Sequence, residues 1–319
     1  MSEEILRVEN LKIYYKSMWG DYRVVDDVCL SVYKGEIFGV AGESGCGKST
    51  LVEGILRLVK PPGYIAGGRI IFEGKDLLGL SEEELRRIRW RKISYVPQGA
   101  MNALNPVLRI EEQMIDAIID HLGYLPKEKG REFAAAALEA VGLPHEVLKM
   151  YPHELSGGMR QRVIIATAIA LSPSLVVADE PITALDVVTT RTVLETLAML
   201  RDKYGITVVF VSHDMAAHAE LVDKLAIMYA GKIVEVGNVN SVFYDPLHPY
   251  TRGLIEAIPK LDKKTIKPIP GLAPSPLEWP PGCRFHPRCL FAIERCKKEL
   301  PELKEVGSGR LVACHLVQG

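Results

Sequence analysis

"GESGCGKST", residues 42 to 50, decides the reading of this chain. It fits the spacing G-x-x-x-x-G-K-[ST], with Gly42, Gly47, Lys48 and Ser49 at the fixed positions and Ser44, Gly45, Cys46 and Thr50 completing the stretch. "EIFGVAG" before it is a short apolar strand, and "KSTLVEGILRLV" after it has helical spacing. Strand-to-helix context is what the motif requires. The glycines let the backbone wrap a polyphosphate so that N–H groups point inward at a helix N-terminus. Lys48 then brings a charge to the β and γ phosphates, and Ser49 a hydroxyl to Mg²⁺. The plain alternative is a glycine turn with a chance lysine, and the flanking strand and helix weigh against it.

Two further stretches belong with the phosphate loop. "LVVADEP" ends an apolar strand on Asp179 and Glu180, where an acid is costly unless it meets water or a cation. Asp179 is expected to hold Mg²⁺ through water, and Glu180 to orient or deprotonate an attacking water. "LSGGMRQR", residues 155 to 162, sets Ser156, Gly157 and Gly158 ahead of an apolar helix, a second anion-receiving helix start. One nucleotide does not readily occupy two such cradles in one compact fold. The economical solution is a head-to-tail dimer, in which one subunit's cradle meets the nucleotide bound to the other. Ser156 as an ordinary N-cap is compatible with that role.

Composition bounds the rest. The 319 residues carry 39 Lys and Arg against 40 Asp and Glu, so no global field favours nucleic acid or an anionic membrane. The start, "MSEEILRVEN", is acidic and has no apolar h-region, which predicts no secretory signal. The longest apolar runs, "VIIATAIAL" and "ITVVFV", are too short to cross a bilayer. A cytosolic protein that meets membranes through a partner is expected.

Along the chain, "ILRVENLKIYY", "YRVVDDVCLSVYKG" and "GGRIIFEG" read as strands. From about Ser81 to Leu171 the pattern is mostly helical. "SLVVADEP" and "ITVVFVSHD" are buried-type strands, and "LAIMYAGKIVEVG" is a hairpin turning at Ala230-Gly231. Prolines become dense after Asp245. Strands alternating with helices predict an α/β fold with a mostly parallel sheet.

In order, the loop at Gly42, Gln98 in "YVPQ", the stretch from Leu155, Asp179-Glu180, "ALD" at 184 to 186 and "SHD" with His213 resemble the ATP-binding subunit of an ABC transporter. The likeness covers roughly residues 5 to 255. "ALNPVLRIEEQM", "DPLHPYTRGLIEAIP" and the cysteine tail extend it to the oligopeptide and dipeptide importer subfamily. Met159 stands where many relatives have glutamine. The resemblance implies a phosphate-loop (RecA-like) core with an antiparallel β subdomain over 1–98 and 173–244, a helical signature subdomain over 99–172, and a tail over 245–319. It implies that Gln98 contacts Mg²⁺ or the water, that Asp186 crosses the dimer interface, and that His213 contacts the γ-phosphate. An upstream aromatic should stack on adenine, with Tyr15, Trp19 and Tyr22 as candidates. Implied partners are a second ATPase subunit, two membrane permease subunits and an extracytoplasmic solute-binding protein, at the cytoplasmic face of the membrane. Met101, Leu104 and Val107 are the expected permease contacts. Peptides are the implied cargo, with oligosaccharides or nickel as alternatives. A soluble iron–sulfur assembly ATPase is the nearest non-transport reading, but it would lack "HPYTRGL" and the cysteine tail.

Four of the six cysteines, Cys283, Cys289, Cys296 and Cys314, lie near the end of the chain. Four thiolates suit Zn²⁺ or an iron–sulfur cluster. No close C-x₂₋₄-C pair occurs, and wider spacing leaves room for a larger cubane, with Arg284, Arg288, Arg295, Lys297 and Lys298 to offset its charge. The resemblance also points to a 4Fe–4S cluster in some members. Disulfides or free thiols are the other readings, and a reducing compartment disfavours the former. A structural role is expected, because a proline-rich tail holds little apolar core of its own. A 4Fe–4S cluster held by these four cysteines is the expectation, without a catalytic role, because the site is distant in sequence from every ATP motif; packing of the tail on the partner ATPase is expected instead.

Overall fold

The computed structural model describes residues 3–99, 103–123, 125–259, 268–307 and 309–318. Among them twelve strands run in chain order: β1 Glu4–Ser17, β2 Gly20–Tyr33, β3 Ile37–Ala41, β4 Gly63–Phe72, β5 Lys75–Asp76, β6 Ile93–Val96, β7 Leu175–Asp179, β8 Thr207–Ser212, β9 Lys224–Tyr229, β10 Lys232–Asn238, β11 Lys304–Glu305 and β12 Leu311–Val312. The chain divides into two compact units, one holding residues 4–32, 38–78 and 212–319, the other holding 33–37 and 79–211. Among the described residues no helix is long and apolar enough to cross a membrane.

The first unit carries an antiparallel sheet ordered β2-β1-β4-β5. Its register pairs Leu6 with Phe72, Val8 with Ile70 and Ile13 with Ile65, and the irregularity between Glu9 and Ile13 bends β1. Leu6 and Val8 before that irregularity, and Leu11 and Ile13 across it, are buried at a spacing of two. The helix Lys48–Ile55 buries Leu51, Val52 and Ile55. It lies so close over β1 that a side chain at Gly54 would overlap Ile13. In the same unit β3 pairs in parallel with β9, and β9 pairs antiparallel with β10. All five residues of β3 are buried, the pattern of a parallel strand covered on both faces. The β9–β10 hairpin turns at Ala230 and Gly231, both with positive φ (48° and 79°), where the sequence placed it.

The tail does not stand apart as an appendage. β12 pairs with β10, and β11 with β12, so these two short strands extend the hairpin's sheet. Phe285 is buried, with its ring 5.2 Å from that of Tyr229 and 5.4 Å from that of Tyr250. Arg284 pairs with Asp26 and stacks on Trp279, its guanidinium carbon 4.4 Å from the ring centroid. The tail's core is thus shared: Phe285 packs on Tyr229 of β9 and on Tyr250 of the tail's own helix Pro249–Glu256.

The second unit holds β6, β7 and β8 as parallel neighbours, with Val96 opposite Ala178 and Asp179 opposite Val211. Around them run the helices Glu82–Ile88, Ile110–Leu122, Lys127–Ala140, Gly157–Ile169 and Val187–Tyr204. Ser81 closes a full capping box with Glu84, and Asp186 caps the last of these helices by accepting from the N–H of Thr189 at 3.0 Å. β6 lies inside the stretch read as mostly helical. Four residues are too few for periodicity to register against the helices on either side.

Candidate nucleotide-binding site

The loop from Gly42 to Thr50 joins β3 to the helix Lys48–Ile55. Gly42 has φ +156°, and any side chain there would run into the carbonyl oxygen of Met228. Gly47 has φ +108° and presses against the carbonyl of Val24. Both positions therefore need glycine for conformation and for space. Gly45 faces open space, and Ser44 beside it is exposed. The first turn of the following helix carries no acidic side chain of its own to compete for its N–H groups. Lys48 is only 6% exposed, and its Nζ donates to the carbonyls of Gly42 (2.8 Å) and Glu43 (3.1 Å). Two carbonyls offset part of the desolvation of an ammonium; an anion supplies the opposite charge. The donor set fits a polyphosphate. Cys46 packs beneath the loop, and burial pushes its thiol up from the usual range. Its carbonyl accepts the Gly231 N–H at 2.9 Å, tying the loop to the β9–β10 turn.

His213 is exposed just after β8, ahead of Asp214, which caps the helix Met215–Leu221. Of the three aromatic candidates, Trp19 is 74% exposed at the β1–β2 turn, whereas Tyr15 lies under Gly63 and Tyr22 is half-buried.

In the other unit, the register of β6 and β7 brings Gln98 and the Asp179-Glu180 pair to the carboxyl ends of neighbouring strands. That is the edge of a parallel sheet where ligands bind. Gln98 is exposed, and Asp179 is 1% exposed. Glu180 sits at φ +49°, a conformation that costs a non-glycine residue about 1–3 kcal/mol. Its N–H donates to Val211 O at 2.8 Å, and its carboxylate accepts from the Thr183 hydroxyl at 2.9 Å. Oxygen ligands of this type suit Mg²⁺. Ser156 caps the helix Gly157–Ile169 by accepting the Met159 N–H at 3.2 Å, and no acid enters that first turn. A side chain at Gly158 would come within 2.5 Å of Thr189 Cγ2. Asp186 is held below the usual carboxylate range by hydrogen bonds from Thr189. Val107 is 75% exposed and Leu104 half-buried; Met101 lies outside the described residues.

The four-cysteine metal site gains no support. Cys283, Cys289, Cys296 and Cys314 do lie within electrostatic reach of one another, and burial pushes Cys283 up to about 11, with the other three thiols adding to the rise. Yet among the described residues no three His, Cys, Asp or Glu side chains are grouped to hold a metal ion, so neither Zn²⁺ nor a 4Fe–4S cluster is supported. Phe285, Arg284 and Arg288 tie this part of the chain to Tyr229, Asp26 and Glu43.

Sequence reasoning also missed a contact. Arg288, in the tail, reaches the loop residue Glu43 with Nη1 and Nη2 at 2.7 and 2.9 Å. No local signal pairs two residues 245 positions apart.

The chain matches the ABC transporter family model over residues 25–183 and the model of the oligopeptide/dipeptide transporter C-terminal region over 234–296. It is 44% identical over 317 residues to the dipeptide transport ATP-binding protein DppD of Caldanaerobacter subterraneus subsp. tengcongensis, covering 98% of this chain and 97% of that one. It is 40% identical to the oligopeptide transport ATP-binding protein OppD of Escherichia coli, covering 98% and 93%. Among solved structures it resembles the dimeric, post-hydrolysis ATP-binding cassette MJ0796 bound to ADP and Pi, at TM-score 0.65 and 29% identity, covering 74% of this chain and 99% of that one. An intact phosphate cradle, together with identity that runs the length of the chain, places this protein in the oligopeptide/dipeptide family of ABC transporter ATP-binding subunits, which are ATPases.

Proposed function

We propose that this chain binds MgATP and hydrolyses it to power uptake of dipeptides or oligopeptides through an ABC importer. The observation that carries the reading is the 44% identity to a dipeptide transport ATP-binding protein across 98% of the chain. The loop from Gly42 to Thr50 wraps the polyphosphate with backbone N–H groups, and Lys48 supplies the charge. Trp19, the freest of the three aromatic rings, stacks on adenine. Ser49, Gln98 and Asp179 would hold Mg²⁺, which would supply positive charge against that of the phosphates. Glu180 accepts the proton of the water that attacks the γ-phosphorus, and His213 steadies the γ-phosphoryl oxygens as ADP leaves. Ser156, Gly157 and Gly158 offer their helix start to nucleotide bound on a second ATPase subunit, and Asp186 crosses to it. The helical part over 99–172 passes closure to two permease subunits at the cytoplasmic face of the membrane, with Leu104 and Val107 as contacts. An extracytoplasmic binding protein selects the cargo.

Reconstitution in liposomes with permease subunits and a binding protein of the dipeptide importer family tests this. Labelled dipeptide should enter only with MgATP, and Lys48→Ala should abolish entry. Uptake of nickel or an oligosaccharide in place of peptide would replace the cargo but keep the machine. ATP hydrolysis indifferent to permeases would overturn the transport role.

A further inference from the structure

We propose that Arg288 is a positioning residue for the phosphate loop: through Glu43 it holds the loop in its nucleotide-receiving shape and cancels a carboxylate that would repel phosphate. The proposal rests on the ATP site described above and adds a residue to it from the far end of the chain.

The geometry is that of a clamp. Glu43 is the second residue of the loop, directly after Gly42, so a carboxylate stands beside a cradle built for anions. Arg288 meets it with two N–H groups of one guanidinium, at 2.7 and 2.9 Å. Bidentate pairs of this kind fix orientation as well as distance. The guanidinium is fixed in turn. Its Nε donates to the Pro270 carbonyl at 2.8 Å, its Nη1 also reaches the Tyr229 hydroxyl at 3.3 Å, and its side chain is only 6% exposed. The backbone N–H of Glu43 donates to the hydroxyl of Tyr250 at 2.9 Å, and its carbonyl accepts from Lys48. Glu43 is thus held at its N–H, its carbonyl and its carboxylate.

The neighbouring contacts explain why this matters to nucleotide. Lys48 shares the Glu43 carbonyl, so a shift at Glu43 moves an acceptor of the lysine that must turn to phosphate. Without Arg288, the Glu43 carboxylate, whose side chain is 28% exposed, would keep its full charge beside the incoming polyphosphate. Its effect on a phosphate is repulsive at any protein dielectric. The tail residue therefore acts on affinity for ATP rather than on the chemical step, which lies with other side chains.

The experiment uses the full chain and two readouts. The first needs no nucleotide: amide hydrogen exchange of residues 43 to 48 in the ATP-free protein. The Arg288→Met variant should exchange at least tenfold faster there, and unchanged exchange overturns the clamp. The second is ATP affinity, read with a fluorescent ATP analogue, alongside KM and kcat. Loss of charge-assisted bonds predicts a rise of about tenfold in Kd and KM for Arg288→Met. The fall in kcat at saturating ATP should not exceed about threefold. Arg288→Met with Glu43→Gln should recover at least half of the lost affinity, because the exposed charge goes with it. A double variant as weak as the single one, at equal melting temperature, overturns charge cancellation and leaves Arg288 a packing residue. If Arg288→Met does not fold, Arg288→Lys carries the test: charge without the fork should raise KM threefold or more, and a wild-type KM overturns the proposal. Failure of the ATP reading looks different: wild type and Lys48→Ala would then respond to ATP alike, whatever the exchange data show.

Discussion

The Nδ1 atom of His248 accepts the backbone N–H of Tyr250 at 3.0 Å, so a fully buried imidazole caps the helix Pro249–Glu256. Its N–H neighbours on the other side are those of Leu247 and His248 itself, which both donate to the carboxylate of Glu235. Burial lowers the imidazole from 6.5 to about 3. The cap requires the neutral ring, since a protonated Nδ1 cannot accept. The folded pKa is depressed, so the unfolded chain takes up a proton first as pH falls through 6.5. Stability is therefore intact above about pH 6.5 and lost between there and pH 3. Between pH 7.5 and 5.5 the loss from this one group is about 1.4 kcal/mol. His248→Asn keeps an acceptor for the cap and removes the titration. Urea melts of both proteins at the two pH values should show the wild type losing that much more than the variant; parallel losses would rule His248 out as the source.

Glu180→Gln should bind ATP as tightly as the wild type and lose about 10² to 10⁴ in turnover, the worth of a positioned acid–base group. The Gln side chain can still accept from Thr183, which holds the carboxylate in place now. ATP-dependent dimerisation should persist in gel filtration. Turnover at the wild-type rate would take the base away from Glu180.

Trp19→Ala should weaken ATP by the loss of one base–ring stack, about 1–3 kcal/mol, while Trp19→Tyr keeps most of it. Tyr15→Ala serves as the comparison, because its ring is tucked under Gly63. Titration with a fluorescent ATP analogue separates the two. A larger loss from Tyr15→Ala in a fully folded protein would move the adenine stack there.

In the tail, Phe285→Ala should cost about 3–5 kcal/mol by emptying the space between Tyr229 and Tyr250. Cys289→Ser should cost far less, because Cys289 is only half-buried and Arg288 beside it stays paired. Thermal melts give the ranking. The opposite order would mean that the thiols, and whatever they bind, hold the tail after all.

Gly42→Ala should abolish ATP binding and destabilise the protein, since the new methyl has nowhere to go but the Met228 carbonyl. Backbone does not yield as a flexible side chain does. Gly45→Ala meets no neighbour within 4 Å, so only its positive φ resists the change, and it should retain more binding. Equilibrium dialysis with ATP orders the pair.

Local chemistry in the sequence determined a good deal by itself. Strand-to-helix context and glycine spacing located the phosphate loop, since a backbone that wraps phosphate needs those residue types at fixed offsets. The Ala230-Gly231 turn and the buried-type strands at 175–179 and 207–212 were legible because period and turn residues are short-range properties. Tertiary structure alone decided the rest. Which face of β9 receives the tail, which aromatic ring stays open, and that Arg288 meets Glu43 across 245 residues all depend on which distant segments the topology lays side by side. Four cysteines near the terminus suggested a metal by count and spacing, but ligation depends on where their sulfurs converge, and spacing along a chain does not fix convergence in space.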